Sequence, residues 1–511
     1  GRIDLTLGEE FAPEGAAASL PDVLRRIDAV FASPALSGLE DLSVEDLTLS
    51  YADARAQRSW QIEGGLLTIE QTATDLSSRL FFSLTNDLGV PSEVALSFDL
   101  AKGSLLSRMS ANFSNVPSAD IAAQSPALTF LRVIDAPLSG ALRSGVGADG
   151  HLTPLSAALE LGAGAIHPVA GVAPIPFRRG KSYFTYDPAA DKITMNETEL
   201  DTAAVRLKAE GHAYLGDEVD GWPTSLVTQM QFREVALDPE GFFEQPARFN
   251  SGALDMKLAL DPFTVTIGQV VLLDNAGTAY RGDGVIKARN DGWKLDLDFG
   301  VDQITRDRLI ALWPVGLVPP TRRWVSENVF EGVLFNVKAA LRIAPDHPVR
   351  LSLVHEFRDA TVQFIKSMPP VHGGFGYVTM TEKTFTMVLD KGIVDAPGGG
   401  GPVDATGTVF HVPDITQRPA RAEIDLKTES TVGAMLALLD HPVFNIMSRA
   451  GQPTDLAEGH ARMEAQIGLS LAKKVTPQDV EYSVSGVLSD LRSEKAVPNR
   501  VLEADALSLG A

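Results

Sequence analysis

The chain has 511 residues, with 44 basic side chains against 66 acidic ones and a formal net charge of -22. So negative a surface repels phosphate, which argues against nucleic acid as a partner and against docking on anionic headgroups by charge. It contains no cysteine, so disulfides, thiolate catalysis and cysteine-held metals are excluded together.

The chain opens on Gly1-Arg2 without an apolar leader, and no window reaches the roughly 18 apolar residues of a membrane helix. We expect a piece of a longer protein, with any anchor outside it. The first predicted element is a helix near 19–32, "SLPDVLRRIDAVFA". Ser19 would cap it, Pro21 would stand in its first turn, and Val23, Leu24, Ile27, Val30 and Phe31 would share one face.

From there the dominant signal is period two, the mark of strands wetted on one side. "SEVALSFDL" puts Val94, Leu96, Phe98 and Leu100 on one face. A second helical stretch, 118–134, is predicted to break near Pro126. "LSAALEL" then aligns Leu155, Ala157, Leu159 and Leu161, and "RRGKSYF" at 178–184 reads as a solvated hairpin end or a contact for an acidic headgroup or partner.

A hairpin style recurs from Ile193, Val265 and Phe385. In each copy the second strand ends in an apolar residue and an Asp (Asp201, Asp274, Asp395) before a tight turn. "LDMKLAL" aligns Leu254, Met256, Leu258 and Leu260, and "WKLDLDF" aligns Trp293, Leu295, Leu297 and Phe299.

The stretch "LWPVGLVPPTRRWVSENVFEG" interrupts the alternation. Pro314 should stop a helix begun near Ile304, and Pro320 should open a second one. We expect a helical insert over 303–330 that covers part of the apolar face. Trp324 and Val325 would be turned to the sheet, and Arg322 and Arg323 would be solvated. Strands resume with "RLSLVHEF" (Leu351, Leu353), where His355 is expected to face solvent. "GGGG" at 398–401 reads as a flexible loop tip, and "STVGAMLALLD" as a last helix between "AEIDLKT" and "MEAQIGLSL".

The chemistry of enzymes is hard to find here. The nine histidines are scattered, His355 has no second histidine four residues on, and no GxSxG elbow appears. Carboxylates alternate with apolar residues, as on a solvated strand face. The expectation is no catalytic residue, no metal, no cofactor and no enzyme.

So many one-sided strands need a second sheet, a closed barrel, or an open trough holding an apolar ligand. Three stretches resemble the AsmA-like superfamily of Gram-negative envelope proteins, in its YhdP-like branch found in alphaproteobacteria. They are Pro34 to Glu70, with its strand, Asp-containing turn and Trp strand; Ser125 to Ile166, with its helix, "APLSG" strand and "LGAG" hairpin; and the insert, with Trp313, Pro314, Pro319 or Pro320, Trp324 and Gly332.

The resemblance implies a mainly β fold, an elongated twisted antiparallel sheet curled into an open apolar groove with a few short helices covering or capping it, as in chorein-type bridge-like lipid-transfer proteins. It implies a periplasmic protein, held to the inner membrane by an anchor outside this chain, that conducts phospholipid between inner and outer membrane. A scaffold or assembly role for outer-membrane proteins is the alternative, and an envelope protein is a possible partner. A closed β-sandwich module is the third option.

We expect a groove segment over 1–301 and a second over 302–511, in one continuous sheet. Acyl chains would lie on Leu96, Phe98, Leu159, Leu161, Leu207, Met230, Phe232, Met256, Leu258 and Ile267 in the first. In the second they would lie on Leu295, Leu297, Leu353, Leu426, Ile467 and Leu469. Trp313, Pro314, Trp324 and Gly332 would mark the capping insert.

Overall fold

The computed structural model describes residues 2–7, 20–53, 58–85, 91–122, 124–219, 222–365, 368–442, 444–472, 480–497 and 499–510. The protein is mainly β and antiparallel, with short helices. The one parallel pairing among the described strands joins Arg2–Leu7 to Asp41–Asp53.

The chain forms two compact units. One comprises Gly1–Pro239, Arg248–Leu272 and Asp283–Lys294, and the other Glu240–Ala247, Leu273–Gly282 and Leu295–Ala511. In the first unit, successive strands pair as a meander from Asp41–Asp53 through Pro91–Ala101 and Ile175–Asp187 to Ser251–Leu260. In the second, the meander runs from the end of Gly292–Thr305 to Arg500–Gly510. Tight turns make neighbours in sequence neighbours in the sheet, so most pairing is local.

The ladders are repeatedly broken by bulges, which bend a strand and increase its twist. Several sit on a residue with positive φ inside a strand: Asp46, Asn115, Asn336, Asp359 and Asp490. All five are Asp or Asn, the non-glycine residues that tolerate the left-handed region best. An Asp or Asn within an apolar alternation therefore marks a bend here as well as a solvated position.

Three helical segments lie on apolar strand faces. Leu20–Phe31 buries Leu24 against Leu76, Leu100 and Val146, with Ile27 and Phe31 packed beside it. Val23 and Val30 are exposed, so the predicted apolar stripe is wider than the one used. Ser19, read as the cap, lies outside the described residues.

The second segment breaks at Pro126 as expected, into a short α-helix Ser118–Ala122 and a 3-10 helix Pro126–Val133. Ala127, Leu128 and Leu131 are fully buried, and each leucine contributes about 1.5–3 kcal/mol by leaving water.

The third is Val432–Leu439, capped by the Thr431 hydroxyl and buried through Val432, Ala434 and Ala437. Within the glycine run at 398–401, read as a flexible loop tip, Gly400 packs against this helix, while Gly398 and Gly401 face open space. A Cβ at Gly400 would come within 3.2 Å of Ala437 Cβ and 3.3 Å of Ala434 Cα.

Candidate functional site

Strand register places the expected lining residues of the first unit on one face. Leu96 pairs with Ala111, Ala111 with Leu142, and Leu142 with Ala157. The row continues through Phe184, Met195 and Gly211 to Met230 and Leu254. A parallel row joins Leu159 to Ser182, Thr198, Ala209 and Phe232. Met256 pairs with Thr228, Leu258 with Leu226, and Leu207 with Leu200 and Val235. The opposite face carries Lys208 with Glu199, Arg233 with Glu210 and Lys257 with Asp217, exposed ion pairs that add little stability but show which side is wet.

Sharing a face does not make these residues an open lining. Leu96 is 39% exposed. Leu159, expected in the same trough, is 4% exposed and belongs to the core formed with Leu128, Leu131 and Phe184 beneath the 118–133 segment. Leu161 packs partly buried against that core, and Phe232 is also buried. Phe98 leans on the core under the first helix, and Leu258 leans on Val172 and Phe263. Leu207, Met230, Met256 and Ile267 are half-buried. The expectation of one open face across the first unit is thus corrected: a segment that returns over the sheet covers much of it.

That cover has polar defects. Thr129 Oγ1 in the 3-10 helix and Thr228 Oγ1 on the strand face are both buried without a hydrogen-bond partner. Tyr186, in the same core, donates its hydroxyl to Asp191 at 3.0 Å. Burial and that bond push its pKa up to about 12, so it stays neutral.

The second unit carries a comparable face. Leu297 pairs with Leu341 and Leu341 with Leu351; Leu295 pairs with Ile343. Leu353 stands between Ala339 and Met380, Leu426 faces Ala465, Ile467 lies between Ile424 and Tyr482, and Leu469 faces Ala422. All six expected lining residues of this unit are half-buried, like most of those of the first unit; on the same face Phe299 is exposed, whereas Phe357, Val378, Leu389 and Ala422 are buried. His355, expected in solvent, lies instead on this apolar face opposite Val378. The parity that aligns Leu351 and Leu353 continues through His355 to buried Phe357, so the signal was in the sequence. Burial holds its pKa below 6.5, opposed only by a long contact with the Glu356 carbonyl.

The helical insert also departs from expectation. Its helices span Arg306–Leu312, capped by Thr305, and Pro319–Asn328, with proline in the first turn as predicted; neither buries a residue. Trp324, expected to face the sheet, is 39% exposed and leans on Phe364. Trp313 donates its indole N–H to the Leu317 carbonyl at 2.8 Å within the loop holding Pro314, and Gly332 (φ 151°) lies beside Ala360.

Polar contacts hold the insert. Arg322, expected in solvent, is only 12% exposed; it donates to the carbonyls of Ile310 and Trp313 and pairs with Glu244 at 2.9 Å. Arg308 donates to Asp274 at 3.0 Å. Burial disfavours the Asp274 carboxylate, but the N–H groups of Thr278 and Ala276, the Tyr280 hydroxyl and Arg308 together hold its pKa below the ordinary value. Asp274, predicted as a turn residue, thus both closes its turn and fastens the insert.

Among the described residues no group of three or more metal-capable side chains comes together, and no helix is long and apolar enough to cross a membrane. Arg178 and Arg179 share Asp201 at 3.6 Å each and remain solvated. Compared with known proteins, the chain matches no family model, and no curated protein and no solved structure is significantly similar to it.

Proposed function

We propose that this chain is the periplasmic part of a Gram-negative envelope protein that holds phospholipid acyl chains on an apolar β-face and conducts them between inner and outer membrane. The observation that carries this reading is the half-buried apolar face of the second unit, from Leu295 to Leu469. It offers hydrocarbon contact at half-buried leucines and isoleucine beside the buried Phe357 and Val378, and among the described residues no metal-capable cluster lies with it. Each CH₂ moved into water costs about 0.8 kcal/mol, so a two-chain lipid crossing water faces on the order of 20 kcal/mol. A face of this kind offsets much of that without any covalent step. The resemblance to AsmA-like proteins points the same way, and inner-membrane anchoring belongs to the same proposal.

The test is photo-crosslinking from single positions after incubation with vesicles of phosphatidylethanolamine and phosphatidylglycerol. A crosslinker at Leu353 should capture lipid, and one at Asp425, on the opposite face, should not. Equal capture at both positions, or none at Leu353, sinks the reading.

A further inference from the structure

Among the described residues, the apolar face of the second unit carries one ionisable side chain between Leu295 and Leu469. His355 stands in a cross-strand row that continues through Val378, Met387, Phe410, Ile424 and Ile467. Along its own strand it has Leu353 on one side and Phe357 on the other. Among the described residues no charged side chain faces it. Val337 and Ala339 on the preceding strand, Val378 and Gly376 on the following one, and Met387 beyond are all uncharged. Glu356, bonded to Asn336, lies on the other face with Arg358, whose guanidinium sits over the Phe335 ring.

An imidazole so placed has one poorly used nitrogen and one unused. Nδ1 lies 3.4 Å from the Glu356 carbonyl, at the long limit of a hydrogen bond, so this contact fixes the tautomer only weakly. Nε2 has no protein partner among the described residues. Covering this face with hydrocarbon alone would strip water from a polar nitrogen and give nothing back, at a cost of about 1–3 kcal/mol. A ligand with an oxygen at that point avoids the cost.

We propose that His355 is the polar anchor of this face and binds the ester carbonyl of a phospholipid acyl chain; the carboxylate of a free fatty acid is the contrasting oxygen that tests it. The proposal rests on reading the face as an acyl-chain site. Neutral imidazole donates from Nε2 to either oxygen. Protonated imidazole pairs with a carboxylate and forms a charge-assisted bond, whereas beneath a neutral ester it is a buried, unpaired charge. The two ligand types must therefore respond oppositely to acid.

The experiment titrates the whole chain with cis-parinaric acid and with its methyl ester, at pH 7.5 and pH 5, in wild type, His355→Leu and His355→Gln. In wild type the ratio of acid to ester affinity should rise by at least about tenfold on acidification. In His355→Leu and His355→Gln it should change only by the part owed to the probe's own carboxyl group, equal in both. His355→Gln keeps a donor and should retain more ester affinity than His355→Leu at pH 7.5. Binding with the same pH response in all three proteins overturns the anchor and leaves the acyl site standing. Absence of binding by wild type at either pH overturns both.

Discussion

Two helical segments, one in each unit, are attached to their sheets by different physics. In the first, the 118–133 segment is held by apolar burial: Ala127, Leu128 and Leu131 vanish into a core with Leu159, Phe184 and Ala213. In the second, the helical insert buries nothing and is held by Arg308 on Asp274 and by Arg322 on Glu244. A segment fastened by its own apolar side chains must lie on the apolar face and cover it. A segment fastened by charges at its edges does not have to cover that face. The lesson is that what covers an alternating strand depends on how the returning segment is fastened: Val432–Leu439 of the second unit, fastened by Val432, Ala434 and Ala437, covers its strands as the 118–133 segment does in the first.

The comparison is broken most directly by truncating apolar residues. Leu128→Ala should cost about 2–5 kcal/mol, as expected for a fully buried leucine. Leu353→Ala, at a half-buried leucine, should cost under about 1.5 kcal/mol. Urea denaturation of both variants measures this, and equal losses would mean that the two faces are equally covered.

Charge attachment is tested by Asp274→Asn, which should cost about 3 kcal/mol near neutral pH by leaving Arg308 without its counter-charge. The sign with pH follows from the depressed pKa of Asp274. Its contribution is complete above the unfolded value of about 3.9 and is lost as pH falls toward the lower folded value. Wild type should therefore lose stability on acidification through that window more steeply than Asp274→Asn. Parallel acid limbs in pH-dependent unfolding would show that the carboxylate is not what holds the insert.

The smallest effect concerns the polar defects under the first unit's cover. Thr129→Val and Thr228→Val remove buried hydroxyls without a partner, and each should stabilise by about 1 kcal/mol. A loss of stability in either variant would show that its hydroxyl has a partner, such as an ordered water.

Much of this was legible because alternation is a local property. Leu96 and Phe98, or Leu295 and Leu297, must share a strand face whatever the rest of the chain does, since successive side chains point to opposite sides. Parity extended two residues further would also have placed His355 correctly. The bends at Asn336 and Asp359 were less visible, because an Asp or Asn among apolar residues signals water at least as often as a bulge.

The sequence by itself determined which residues lie on the apolar side of each strand and where Pro126 and Pro320 divide helical stretches. Tertiary structure alone decided what covers that side. Leu159 is buried by a segment some thirty residues before it, and Arg322 is drawn from solvent by Glu244, far upstream. Period two reports the face of a strand; burial depends on what returns to lie on it, and no local pattern encodes that.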